Sequence, residues 1–281
     1  MQFDNIKLSF GGKTIFHDFF LQLGEGKITC LMGASGIGKT SLLRCAAGLE
    51  KPEQGRVTRN SNCNCTSTST STSTNFSNNI SKGNSSSIKH RISCVFQEPR
   101  LLPGKTVLDN VLWVLGQSSS KSAKNSIARD RVIELLREAG LASAIHHFPH
   151  QLSGGMRQRV SLVRAFAASP EWLLMDEPFQ SLDPATRLNM HQLLLNLWEK
   201  DKPTVLLVTH DCDEALRLGS RIVLLAGSPA SIALDIHEEQ QRIKVSDEYQ
   251  MSITHPVETS LGSAFNEADH KRLKQLIGAE T

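Results

Sequence analysis

Eight consecutive residues constrain this chain more than any others. Gly33-Ala34-Ser35-Gly36-Ile37-Gly38-Lys39-Thr40 fits the pattern G-x-x-x-x-G-K-[ST], with an apolar run from Lys27 to Met32 before it and Ser41-Leu42-Leu43-Arg44-Cys45-Ala46-Ala47 after it. An apolar run, a glycine-rich turn and then helical spacing read as strand, loop and helix. In that setting the glycines let backbone N–H groups curl round a phosphate chain, and the helix N-terminus adds the positive end of its dipole. Lys39 can reach the outer phosphates, Thr40 offers a hydroxyl to Mg²⁺, and Ser41 completes the cradle at the helix start. Kinases, GTPases and many ATPases use such a loop, so it implies a nucleotide without choosing the reaction.

The alternation continues along the chain. RISCVF (91–96) reads as a buried strand, and residues 127–140 as an amphipathic helix with apolar positions at Ile127, Val132, Leu135, Leu136 and Ala139 and a stop at Gly140. Ser153 can cap a helix through MRQRVSLVRAFAA, and EWLLMDEP is a short apolar strand ending in two carboxylates. Asp183 and Pro184 form an N-cap and N1 pair for a helix through HQLLLNLWEK. PTVLLVTH is a strand, Asp211 with Glu214 opens a short helix that ends at Gly219, and RIVLLAG is a further strand. Alternating strands and helices predict an α/β fold with a mostly parallel sheet covered on both faces.

Residues 60–87 break this pattern, with 22 Ser, Thr or Asn among 28 residues. Such a tract cannot offset its ordering entropy by burial and is expected to be a disordered surface insert. Periodicity also fades after about Ala230, except for a final helix over NEADHKRLKQLIGA. The expected organisation is a domain over 1–228, carrying the insert and a helical part at about 98–168, followed by a C-terminal appendage over 229–281.

Charge and cysteine content narrow the partners. With 31 Lys and Arg against 28 Asp and Glu, the net charge of +3 leaves no nucleic-acid footprint. MQFDNIKLSF lacks the features of a signal peptide, and no run approaches the ~18 apolar residues of a membrane span, so any membrane role is expected to be peripheral. Six scattered cysteines suit a reducing cytoplasm, and Cys63 and Cys65 lack the second Cys/His pair of a zinc site.

Two further motifs select a reaction. Asp176 ends the WLLMD strand, suited to hold the Mg²⁺ shell, and Glu177 beside it can polarise a water, which is hardware for hydrolysis. Leu152-Ser153-Gly154-Gly155-Met156 then places serine and two glycines at a helix start, a second anion cradle in a chain that needs one per nucleotide. The second cradle is expected to serve another chain.

With these motifs the chain resembles the ATP-binding subunits of ABC transporters, whose LSGGQ signature closes over ATP held by the opposing subunit; here Met156 replaces the final Gln. The resemblance covers about residues 1–228 and implies a P-loop core with a small antiparallel β subdomain, which would carry the insert, and a helical subdomain. It also implies that Phe10 stacks on adenine and that Gln97 touches Mg²⁺ and the attacking water. Asp183, in Ser181-Leu182-Asp183, would cross the dimer, and His210 would contact the γ-phosphate. The nine other histidines, including His146 and His147, read as surface groups.

Within that family the motifs look most like importers of nitrate, sulfonate, taurine and related solutes, with Gly104 where that group often has Trp and Gln180 where it often has Gly. The implied assembly is a pair of copies around two MgATP on the cytoplasmic face of a membrane. It would drive a permease and, indirectly, an extracytoplasmic solute-binding protein. Two rivals remain: a soluble ABC ATPase acting on ribosomes or DNA, and an inactive nucleotide-binding regulatory subunit. The polar insert has no heptads, against the first, and Lys39, Glu177 and His210 are all present, against the second.

Overall fold

The computed structural model describes residues 1–59, 91–116, 123–237 and 242–245. The chain opens with β1 (Gln2–Phe10), β2 (Lys13–Gln22), β3 (Ile28–Gly33), α1 (Lys39–Ala47), β4 (Gln54–Thr58) and β5 (Ile92–Phe96). Helices α2 (Val107–Trp113), α3 (Ala123–Glu138) and α4 (Gly154–Ala167) follow, then β6 (Trp172–Asp176), α5 (Pro184–Asp201), β7 (Thr204–Val208), α6 (Cys212–Leu218), β8 (Arg221–Ala226), β9 (Ser231–His237) and β10 (Arg242–Val245).

The sheet order is β10-β9-β8-β3-β7-β6-β5, with β8, β3, β7, β6 and β5 parallel and the last two strands antiparallel. Its central strands are mostly apolar and buried almost along their whole length because both faces are covered, and the period-two rule divides them between two cores. Cys30, Met32, Leu173, Met175, Val205, Leu207, Ile222 and Leu224 pack with the apolar faces of α2 to α6. Their alternates Leu31, Trp172, Leu174, Leu206, Val208, Val223 and Leu225 pack with α1 and the separate antiparallel sheet β2-β1-β4 through Phe3, Ile6, Phe16 and Leu42. The expected α/β P-loop architecture with an antiparallel subdomain is therefore the one formed. The helices between β5 and β6 share one continuous core with the sheet.

Four readings need correction. RISCVF lies at the sheet edge, with Arg91 exposed, Val95 buried and the rest partly buried, because it has a strand neighbour on one side alone. Ile127 is 73% exposed, whereas Val132, Leu135, Leu136 and Ala139 are buried as the helical spacing predicts. Contact with α2 and α4 covers the later turns of α3 and leaves Ile127 outside the core. His191 is buried, edge-on to Phe179 at 5.1 Å, because it falls on the inner side of α5 with Met190 and Leu194. Finally, β9 pairs with β8 from Ser231 to His237, so the sheet continues past the expected boundary at 228. The Ser/Thr/Asn tract and the expected helix over 266–279 lie outside the described residues.

Candidate active site

The parallel register gathers the motifs on one sheet edge. Phe96 aligns with Asp176, Asp176 with Val208, and Val208 with Leu31, so the segments leaving β5, β6, β7 and β3 emerge side by side. This is the carboxyl end of the strands, where open α/β sheets bind ligands. It brings Gln97, Asp176, Glu177, His210 and the Gly33–Thr40 loop together from four distant stretches of sequence.

The loop needs its glycines. Gly38 has φ 108°, and a Cβ there would sit 2.4 Å from Ile15 and 2.8 Å from Phe16. Gly33, at φ 146°, would push a Cβ to 2.7 Å from the Leu225 carbonyl. Lys39 is buried and donates its Nζ to the carbonyls of Gly33 at 2.7 Å and Ala34 at 2.8 Å. Burial lowers its pKa, against the opposing pull of Glu177 and Asp176. Beside the loop lies a cleft of about 560 Å³, lined by Phe10, Thr14, Ile15, Ala34, Ser35, Gly36 and Ile37 among others. Phe10, 73% exposed at the end of β1, offers that cleft a free aromatic face.

Thr40 donates its hydroxyl to Asp176 Oδ1 at 3.2 Å, which joins the start of α1 to the end of β6. Burial raises the Asp176 pKa, with the Thr40 bond opposing. The Thr40 hydroxyl and the Asp176 carboxylate form an oxygen donor pair of the kind Mg²⁺ prefers, and Gln97 follows the end of the neighbouring strand β5. Glu177 occupies the left-handed region at φ 44°, a costly conformation for a residue with a Cβ. Its N–H donates to Val208 O at 3.0 Å, and its Oε2 lies 3.2 Å from His210 Nδ1. The strained turn aims the carboxylate away from β6 and against histidine.

Gln97 donates its Nε2 to Gln180 Oε1 at 2.6 Å. Its segment is clamped by Arg164, which donates to the carbonyls of Pro99 at 2.8 Å and Arg100 at 2.9 Å. Asn110, also buried, organises the next stretch through bonds with Leu102, Lys105 and Thr106. Among the described residues a Cβ on Gly104 would meet nothing within 4 Å, so their packing does not require glycine there. Sequence reasoning missed Gln158, which is buried and donates to Phe96 O at 3.2 Å and Pro178 O at 2.6 Å. It ties α4 to the residues just before Gln97 and just after Glu177. The available signal was an amide within the row Gln158, Ser161, Leu162 and Ala165, spaced for the buried face of a helix.

The second cradle stands apart. Ser153 accepts from the Met156 N–H at 3.2 Å and caps α4, while Gly155 lies so close to α5 that a Cβ would meet Thr186 at 2.8 Å. Neither these residues nor Gly154 line the cleft beside Gly33–Thr40. Asp183 caps α5, accepting from the Thr186 N–H at 2.9 Å, and remains exposed.

A phosphate cradle, a hydroxyl–carboxylate pair behind it and a carboxylate set against histidine, all on one edge of a parallel sheet, define a P-loop nucleotide hydrolase. The family model described as ABC transporter matches residues 16–180, and the chain belongs to that family as an ABC ATPase. An aliphatic sulfonates import ATP-binding protein, SsuB 1 from Pseudomonas fluorescens, is 36% identical over 97% of this chain and 84% of its own length. A second, SsuB from Granulibacter bethesdensis, is 43% identical over 77% of this chain and 75% of its own. Among solved structures, the dimeric bacterial ABC transporter cassette MJ0796 is similar with a TM-score of 0.62 and 29% identity, covering 84% of this chain and 98% of that one. The same cassette is also known in a post-hydrolysis state bound to ADP and Pi, with equal similarity. The chain is an ATP-binding subunit of an ABC transporter.

Proposed function

We propose that the chain powers an importer of sulfonates or related small solutes, such as taurine or nitrate, from the cytoplasmic face of the membrane. Two copies would close on two MgATP and drive a permease supplied by a solute-binding protein outside the cell. The observation that carries the paired arrangement is the second cradle: Ser153, Gly154 and Gly155 present a helix start to solvent, outside the cleft of their own chain's phosphate loop. Among the described residues no helix is long and apolar enough to cross a membrane.

The site's chemistry follows from its geometry. The Gly33–Ser41 backbone would hold the phosphates, with Lys39, already poised at the loop mouth, meeting their outer oxygens. Thr40 and Asp176, with Gln97, would hold Mg²⁺, which when bound neutralises charge across the β- and γ-phosphates. Glu177 would take the proton of the attacking water. His210 at 3.2 Å keeps that carboxylate oriented and is itself available to the γ-phosphate. Phe10 would stack on adenine. Ser153–Gly155 and Asp183 would complete the site of the opposing copy.

Growth tests this reading. A strain lacking the chain should fail on a linear alkanesulfonate, taurine or nitrate as sole source of sulfur or nitrogen, yet grow normally on sulfate and ammonium. The intact gene should restore growth and Glu177→Gln should not, because the amide keeps the shape but cannot accept a proton. A growth defect on every medium would instead favour the ribosome- or DNA-directed reading, and rescue by Glu177→Gln would remove that residue from the chemistry.

A further inference from the structure

Gln97 has two chemically different ends, and only one is useful to a cation. An amide carbonyl can ligate or orient water, whereas the NH₂ group is a donor and repels a metal. A glutamine on an exposed segment can present either end, so something must select the oxygen. Gln180 takes the NH₂: Gln97 Nε2 donates to Gln180 Oε1 at 2.6 Å, leaving Gln97 Oε1 as the free end. Both partners are held in place by the backbone around them. Gln158 anchors the carbonyl of Phe96, directly before Gln97, and that of Pro178, two residues before Gln180. The Gln180 N–H also donates to Glu177 O at 3.3 Å, tying it to the turn that carries the carboxylate. A glycine at this position could not make the side-chain bond.

We propose that Gln180 is a positioning residue for nucleotide-bound metal, acting through Gln97 by fixing its amide with the carbonyl oxygen toward the site. The proposal rests on the reading of Gln97 as a residue that meets the metal, and it adds the group that makes the meeting productive. Its reach is small and specific. Losing one net hydrogen bond should weaken metal-dependent binding about twofold to tenfold and leave metal-independent binding alone.

The test is calorimetric titration of the full chain with adenylyl imidodiphosphate, once with excess Mg²⁺ and once with EDTA, and the ratio of the two affinities is the readout. Gln97→Ala should lower the ratio. Gln180→Ala should lower it about twofold to tenfold, with the EDTA affinity and the melting temperature unchanged. Adding Gln180→Ala to Gln97→Ala should cost nothing further, since one acts through the other. Gln180→Glu, which keeps an acceptor for the amide, should bring the ratio back to wild type or above. If Gln97→Ala lowers the ratio and Gln180→Ala does not, the proposal falls and the reading of Gln97 stands. Additive losses would likewise overturn it, because Gln180 would then act independently of Gln97. If neither variant moves the ratio, the metal reading of Gln97 fails and takes the proposal with it.

Discussion

Two ionisable side chains, Glu214 and His191, are buried near the chemistry with opposite consequences for pH. Among the described residues, Glu214 Oε1 and both ring nitrogens of His191 find no hydrogen-bond partner. Burial, reinforced by Asp211 and Glu177 and opposed by a Thr209 bond and Arg187, pushes Glu214 up from 4.5 to about 8. Burial, reinforced by Arg217 and Arg187 and opposed by Asp211, pushes His191 down from 6.5 to about 4. Between pH 4.5 and about 8 the fold retains a proton on Glu214 that the unfolded chain has released, so stability falls as pH rises through that window. His191 has the mirror effect: the unfolded chain gains a proton that the fold refuses, and stability falls as pH drops from 6.5 towards about 4. Glu214→Gln carries no charge at any pH. Its stability relative to wild type should rise by roughly 2–4 kcal/mol between pH 5 and pH 8.5. Thermal melts at the two pH values check this, and an unchanged gap would mean that Glu214 is ionised in the fold.

At the scale of an element, α5 has two duties at its N-terminus. Asp183 caps the helix by accepting from Thr186, and the same exposed carboxylate is the one proposed to meet the opposing copy. The duties separate by substitution. Asp183→Ala removes the cap and should unfold at a lower denaturant concentration than wild type. Asp183→Asn retains an acceptor and should unfold like wild type. If the charge acts across the dimer, however, ATP-driven association should weaken in Asp183→Asn, as read by light scattering. Equal association of wild type and Asp183→Asn would reduce Asp183 to a helix cap. This cap was legible beforehand because the cap–proline pair is a local pattern. The edge position of β5 and the pairing of β9 with β8 were not, because strand neighbours depend on chain order in the sheet.

For the whole molecule, the decisive question is whether Ser153 works on its own chain's nucleotide or on a neighbour's. Ser153→Asp keeps a capping oxygen for the Met156 N–H, so the helix survives, but it sets a negative charge where a phosphate would approach. A mixed dimer with Lys39→Ala in one copy and Ser153→Asp in the other puts both lesions in one composite site and leaves the second whole. The same pair in one copy, beside a wild-type partner, damages both sites. ATP hydrolysis should be higher in the first arrangement, measured on tandem-affinity-purified heterodimers. Equal rates, with nucleotide binding also lost in Ser153→Asp alone, would assign Ser153 to its own chain's site.

Local chemistry carried most of the site into the linear sequence. The Gly33–Thr40 loop, the Asp176-Glu177 pair, the Ser153 cap and His210 each announce themselves within a few residues, because backbone conformation and donor type at such points are set by immediate neighbours. Their convergence follows from parallel strands that end on one edge, which alternation of apolar runs and helices already implies. Tertiary structure alone decided where Ile127 and His191 point, since a helical stripe specifies a face without saying how much of it a neighbour covers. It alone joined Gln97 to Gln180 and Gln158 to Phe96 and Pro178, contacts across 83, 62 and 20 residues. No local pattern encodes such pairings: they arise when sheet register brings separate strand ends within hydrogen-bonding distance.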